Sequence, residues 1–274
     1  MLISTVILSY NSIAPIQRCL DDLIVALSKF EEKNEIFIID NGSKDGSVEL
    51  IKQYESKYEK SHPALIKPIF FEENTGTTYS RNAALKKATG KFILVLDSDA
   101  YINQDAINSL INYLENHKDV GMAVPRLSYR SGNFQLSCDV FPTLIHKLKR
   151  FLFLKKIESK PHKLQSATEP TNVDYAISAC WMLTRAAVDK TGLFDEKIFY
   201  SPEDVDYCLR VWEQGYKITY IPEAKVIHDA QELSRGFKLS KFHFSHLKGL
   251  FYLMNKHSYF WGLSGLYKRL NRFS

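Results

Sequence analysis

Residues 92–100, FILVLDSDA, run five bulky apolar residues straight into Asp-Ser-Asp. Such a run is too continuous for a half-exposed strand, so Phe92–Leu96 reads as a strand buried on both faces. Asp97 and Asp99 then stand at its carboxyl end. Two carboxylates this close repel each other unless a cation or hydrogen-bond donors neutralise them. Hard divalent cations take oxygen ligands of this kind and bridge them to phosphate oxygens. A plainer reading, in which Asp99 only caps the next helix, stays open beside it.

Outward from this strand, Leu2–Leu8, Glu35–Ile39, Ile66–Phe71 and Gly121–Val124 have the same strand-like character. Between them Ile16, Cys19, Leu20, Leu23, Ile24 and Leu27 repeat at helical spacing, as do Ile107, Leu110, Ile111 and Leu114 behind a cap at Asn103. The alternation predicts an α/β fold: a mostly parallel central sheet flanked by helices. Ligands of such sheets lie beyond the carboxyl ends of the strands. Polar residues collect there, with Ser9-Tyr10-Asn11 after the first strand and Asp40-Asn41-Gly42-Ser43 after the second. Arg81, in the helix after the third, carries a planar fork suited to a nucleobase or phosphate, or is simply a solvated helix arginine.

The pattern breaks after Pro125, and residues 126–172 read as an insertion over the sheet edge whose basic-aromatic piece is Phe141–Lys156. Regularity returns at Val173–Thr184 (strand), Glu203–Gln214 (helix) and Lys217–Ile221 (strand). At 201–210, SPEDVDYCLR, Ser201 reads as the N-cap and Pro202 as the first helical residue. Glu203 and Asp204 are then first-turn acids favoured by the helix dipole. The same acids also suit an active site, and the stretch alone does not choose.

With 274 residues, 45% of them hydrophobic, the chain can bury a large core, which excludes a disordered protein. Its four cysteines lie far apart without a CxxC pair, which argues for reduced thiols over a zinc knuckle or disulfide framework. Met1–Ser12 reads as a first core strand with no signal-peptide character, and no apolar stretch approaches the roughly 20 residues that span a bilayer. Eight of the 36 Lys and Arg and none of the 31 Asp and Glu follow Glu232, so the net charge of +5 belongs to the tail. There Leu247, Leu250, Phe251 and Met254 share a helical face amid aromatic and basic residues, a pattern suited to an anionic membrane surface. A helix packed on the domain is the alternative. No nucleic-acid-binding motif accompanies the charge, so nucleic acid is not an expected partner.

In their order, VILSYNS (6–12), IIDNGSKDGS (38–47), NTGTTYSRNAAL (74–85), LDSDA (96–100), VDYAISACWMLTRAAVDKTGLFDE (173–196), SPEDVDYCLR (201–210) and PEAKVIH (222–228) resemble the family 2 glycosyltransferases of the GT-A fold. The bacterial rhamnosyltransferase-like branch is the nearest in pattern. The resemblance implies inverting transfer of a sugar from a UDP- or dTDP-sugar to an acceptor hydroxyl. The acceptor would be a glycan or lipid-linked glycan of bacterial surface polysaccharide synthesis. It further implies that Ser9, Asn11, Asp40 and Arg81 cradle the nucleoside and that Asp97 and Asp99 hold Mg²⁺ or Mn²⁺, with His228 near that metal. Glu203 and Asp204 match the acidic pair that contains the base, a role assigned to Asp204. Asp206 is placed beside the acceptor by the motif alone, and Trp181 either stacks on a sugar ring or sits in the core. The chain departs from that branch at Asp97-Ser98-Asp99 and at Ser178, where relatives carry an Asn-Pro-Asp type sequence and a glycine.

Single displacement with inversion needs one carboxylate to take the acceptor proton and a cation to steady the leaving diphosphate, and no protein nucleophile. The expected organisation is a catalytic domain over 1–232, with a nucleotide-binding half (1–99) and an acceptor half (100–232), followed by a helical tail over 233–274. The expected location is cytoplasmic, peripheral at the inner face of the membrane. A non-catalytic nucleotide-sugar-binding module and a sugar nucleotidyltransferase are the alternatives; the second lacks a glycine-rich phosphate loop near the first strand.

Overall fold

The computed structural model describes residues 1–58, 64–143, 162–229, 241–260 and 262–272. Its first half alternates β1 (Ile3–Ser9), α1 (Ile13–Leu27), β2 (Asn34–Asn41), α2 (Ser47–Tyr58), β3 (Ala64–Phe71), α3 (Thr77–Leu85) and β4 (Phe92–Asp97). Then come β5 (Ala100–Tyr101), α4 (Gln104–Asn116), β6 (Val120–Ser128), β7 (Cys138–Asp139), β8 (Thr171–Asn172), β9 (Tyr175–Ala176) and β10 (Cys180–Thr184). The chain closes through α5 (Arg185–Thr191), α6 (Glu203–Glu213), β11 (Lys217–His228), α7 (Lys241–Lys256) and α8 (Ser264–Arg269).

The main sheet has the order β3-β2-β1-β4-β10-β6-β11-β5, with β8 beside β11. β3, β2, β1 and β4 are all parallel, as the alternation predicts. β10 runs antiparallel between β4 and β6, so the second half is mixed. β1, β2 and β4 are buried along nearly their whole length, which is why they read as unbroken apolar runs. β3 is an edge strand with partly exposed residues, the position where Pro68 costs no ladder hydrogen bond.

Successive strand residues feed opposite faces. Ile36, Ile38, Leu94 and Leu96 pack with Ile16, Leu20 and Leu23 of α1 and with α4, whereas Phe37, Ile39, Ile93 and Val95 pack toward α3, α5 and α6. The second face also receives Leu250, Leu253 and Met254 of α7 and Leu266 of α8. Each such side chain contributes roughly 1.5–3 kcal/mol when fully buried, and this is what docks the basic C-terminal segment. Leu250 and Met254 therefore face the core, while Leu247 and Phe251 remain exposed.

The structure revises several local expectations. β6 runs past Pro125 to Ser128, and β11 continues to His228 after a shift in pairing between Ile221 and Lys225. The expected strand Val173–Thr184 is interrupted at Ile177-Ser178-Ala179, between β9 and β10. Asn103, not Asp99, caps α4, accepting from the Ala106 amide at 2.9 Å. Pro202, not Ser201, holds the N-cap position of α6. All four cysteines are free and buried. Most of the basic-aromatic piece Phe141–Lys156 lies outside the described residues; Phe141 itself is buried.

Candidate active site

The chain builds outward from β1 through β2 to β3 and returns to β4, so strand order reverses beside β1, the place where α/β sheets bind ligands. Pairing of Ser9 with Asp40 and of Leu8 with Asp97 brings the polar strand ends to one edge. A cleft of about 390 Å³ opens there, lined by residues that include Tyr10, Arg81, Asp97, Asp99, Ser178, Tyr200, Glu203 and Asp204.

Asp97, Asp99 and His228 offer ligand atoms that all lie within 4.8 Å of one another. His228 Nε2 is 3.3 Å from Asp99 Oδ1 and 4.0 Å from Asp97 Oδ2. Its Nδ1 meets Gln135 Oε1 at 3.0 Å, which orients the ring toward the carboxylates as an outer-shell partner orients a ligating histidine. Burial opposes charge on His228, but its bond to Asp99 and the charges of Asp97 and Asp99 outweigh burial and raise its pKa. Two carboxylates and an imidazole at this spacing fit a divalent cation.

Arg81 is 2% exposed. Its guanidinium donates to Asp97 Oδ1 at 2.6 Å and to Ser178 Oγ at 2.8 Å, and lies 3.6 Å from Glu203 Oε1. Its burial sets aside the solvated reading: Arg81 is an internal cation between the two acidic groups, at the wall of the cleft. Ser178 in turn donates to Glu203 Oε1 at 3.2 Å. Burial raises Asp97, with Arg81 opposing it. Glu203 is pushed up to about 8, by burial first and then by the neighbouring charge of Asp204, with Arg81 again opposing.

The loop before α6 is pinned to α3. Phe199 carbonyl accepts from the Thr77 amide at 2.7 Å and Ile198 carbonyl from Thr78 Oγ1 at 2.8 Å. Gly76 (φ +86°) permits that approach, since a Cβ there would stand 2.5 Å from the Phe199 oxygen. Asn82 clamps the same loop through Phe194 and Glu196. Asp204 lines the cleft, its Oδ1 accepting from the Val205 amide at 2.8 Å.

Ser9 and Asp40 are buried at the strand ends, Ser9 Oγ bonded to Ser12 Oγ and Asp40 Oδ1 accepting from the Ser43 amide. Asn11 adopts a left-handed φ of +47° and accepts from the Lys44 amide. Two acceptor-side expectations are corrected. Trp181 is fully buried and stacks on Phe194 and Tyr207, so no face is left for a sugar. Asp206 is 1% exposed and points to the far side of α6, bonded to Arg210, Lys256 and His257. Ser178 and Gln135 belong to the site without having been foreseen. Ser178 stood out only as a departure from the family pattern, and nothing local marks Gln135.

The sheet order and the polar cleft at its reversal define a GT-A fold. The family model described as Glycosyl transferase family 2 matches residues 4–192, and the chain belongs to that family. It is 28% identical over 256 residues to the poly(ribitol-phosphate) beta-glucosyltransferase of Bacillus spizizenii, covering 88% of this chain and 37% of that protein. It is 30% identical over 280 residues to the Staphylococcus aureus poly(ribitol-phosphate) beta-N-acetylglucosaminyltransferase TarS, covering 87% of this chain and 46% of that one. The chain thus spans less than half the length of both relatives. A TarS 1–349 crystal structure in complex with UDP-GlcNAc superposes with TM-score 0.61 at 20% identity over 87% of this chain and 62% of that one. The mannosyltransferase PcManGT from Pyrobaculum calidifontis, with GDP-Man and Mn²⁺, gives 0.63 at 16% identity over 93% and 63%. The family match ends before Glu203, Asp204 and His228. Among the described residues no helix is long and apolar enough to cross a membrane.

Proposed function

We propose that the protein transfers a sugar, with inversion, from a UDP- or dTDP-sugar to the hydroxyl of a glycan or lipid-linked glycan in bacterial surface polysaccharide synthesis. The observation that carries this reading is the meeting of the 97–99 and 203–204 carboxylates in one cleft at the sheet's switch point, with the His228 imidazole against Asp97 and Asp99. A hexosyl or deoxyhexosyl donor is its finer form, the second resting on the rhamnosyltransferase-like pattern of the sequence.

Ser9, Asn11 and Asp40 stand at the ends of β1 and β2, next in sequence or in strand register to the cleft residues Leu8 and Tyr10, and would cradle the nucleoside. Asp97, Asp99 and His228 would hold Mg²⁺ or Mn²⁺, which when bound neutralises charge on the leaving diphosphate. Arg81 offsets the charge of Asp97 from the protein side. Burial and the charge of Asp204 push Glu203 up to about 8, so the base role falls to Asp204. The acceptor oxygen forms its bond to the anomeric carbon as its proton passes to Asp204. The bond from that carbon to the diphosphate oxygen breaks on the opposite face, and the nucleoside diphosphate leaves with the electron pair.

A thermal-shift screen of nucleoside diphosphates and their sugars, with and without Mn²⁺, tests donor and metal together. A UDP- or dTDP-sugar should stabilise the protein, Mn²⁺ should increase the shift, and Asp99→Ala should abolish that increase. No stabilisation by any nucleoside diphosphate overturns the reading, and pyrophosphate release from a nucleoside triphosphate would replace it with nucleotidyl transfer. Attachment to an anionic membrane surface now rests on the exposed Leu247, Lys248 and Phe251 of α7, since Leu250 and Met254 pack inward. Salt-sensitive sedimentation with anionic liposomes supports attachment, and its absence at low salt refutes it.

A further inference from the structure

The transfer chemistry makes no use of the far side of α6, where Asp206 and Glu213 meet Lys256 and His257 of the C-terminal segment. We propose that His257 is a positioning residue: as an imidazolium held between Asp206 and Glu213, it fixes α6, and with it Glu203 and Asp204, where the transfer step needs them. The proposal rests on reading 203–204 as the acidic pair of a transferase.

His257 is 5% exposed. Its Nε2 lies 2.9 Å from Asp206 Oδ1 and its Nδ1 2.9 Å from Glu213 Oε1. Ionised carboxylate oxygens only accept, so both ring nitrogens donate, and a ring that donates twice is protonated. Positions 206 and 213 lie two turns apart on one face of α6, so a single ring braces the helix along its length. Around the clamp stand the further charged or titratable groups Lys256, Arg210, Arg269, Asp195, Tyr252 and Tyr259. Lys256 Nζ bridges Asp206 Oδ1 at 2.7 Å and Asp195 Oδ2 at 2.6 Å, and Arg210 Nε meets Asp206 Oδ2 at 2.9 Å. Arg269 donates to the His257 carbonyl, and the buried Tyr259 hydroxyl feels the Asp206 charge. Burial disfavours the proton on His257, but the bonds to Asp206 and Glu213 outweigh it and raise the pKa.

The same helix touches the start of α6. A Cβ on Gly249 would lie 2.4 Å from the Ser201 oxygen and 2.8 Å from Pro202 Cδ, so α7 presents bare backbone to the turn that leads into Glu203. Lys256 ties the assembly to Asp195, in the loop that carries Tyr200 to the cleft. α7 thus meets the acidic pair's helix at both ends. Displacements of about 1 Å remote from the chemistry can lower turnover about a hundredfold.

The test uses the full chain with whichever nucleotide sugar stabilises it. His257→Gln should lower kcat about 10- to 100-fold with KM for the donor changed by less than about threefold, because the proposed donor contacts lie on β1, β2 and β4, away from the clamp. Wild-type kcat should fall at alkaline pH as His257 loses its proton, and the variant should lack that limb. A variant with kcat within about twofold of wild type and the same pH profile overturns the proposal. If His257→Gln does not fold, Glu213→Gln serves instead: with one carboxylate gone the alkaline limb moves to lower pH, and an unmoved limb overturns the proposal. Amide hydrogen exchange over residues 199–206 should quicken in the variant while β1 stays protected, and unchanged exchange counts against the clamp. Quickened exchange in a protein with no transfer activity in its wild-type form would sink the transferase reading and leave the clamp standing.

Discussion

On the side of α6 that faces the cleft, Glu203 has one guanidinium 3.6 Å away, and burial with the charge of Asp204 pushes it up to about 8. On the side that faces α7, Asp206 is at least as buried, yet bonds to His257, Arg210 and Lys256 hold it well below the ordinary carboxylate range. Burial is the leading influence on both groups and pushes both upward; the supply of cations reverses the outcome for one of them. An acid with three cations is committed to structure. Acids that share one cation retain protonation states that chemistry can use.

Exchanging the two sides breaks the comparison most sharply. Asp204→Asn should lower kcat by about 10²- to 10⁴-fold, the usual contribution of a positioned base, with the thermal shift from the donor unchanged; nucleoside diphosphate release measures it. Asp206→Ala should cost about 3–5 kcal/mol of stability by urea unfolding, because it strands buried cations, whereas Asp204→Ala should cost less than about 1 kcal/mol.

Their pH signatures should oppose each other. Glu203 has a folded pKa raised from 4.5 to about 8, so the folded state holds more protons across that interval and its contribution to stability declines as pH rises through it. Asp206 has a lowered pKa, so its contribution is full above 3.8 and is lost as pH falls below that value. Glu203→Gln should flatten the stability slope between pH 5 and 8 by about one proton's worth, while an unchanged slope would remove Glu203 as its source. Trp181→Phe should touch stability alone, lowering it by about 1–3 kcal/mol through the cavity left in a packed core, with acceptor KM unmoved. A raised acceptor KM would return Trp181 to the binding surface.

Much of the nucleotide-side half was legible because its signals are local. Unbroken apolar runs, helical spacing and the Asn103 cap each concern residues within a few positions of one another, and β1, β2, β4 and α4 fall where they point. Asp97, Asp99, Glu203 and Asp204 come together at one cleft, and their positions were readable because strand ends and a helix start are local signals. That Trp181 and Asp206 lie away from the cleft was not legible, because a tryptophan or a first-turn acid has the same local signature whether it faces a ligand or a core. Gln135 and Ser178 were missed because each acts on a partner 93 or 97 residues away.

The chain's own periodicity and turn chemistry determined the alternating sheet, the polar strand ends and the acids at the start of α6, since these follow from short-range sterics and from burial of one face or both. Tertiary structure alone decided which acid met which cation. Whether Asp206 meets His257 or a sugar depends on where α7 docks, and that is set by Leu250, Leu253 and Met254 finding the core. Charge pairing falls off steeply with distance and burial, so the roles of these carboxylates were fixed only when the fold had closed around them.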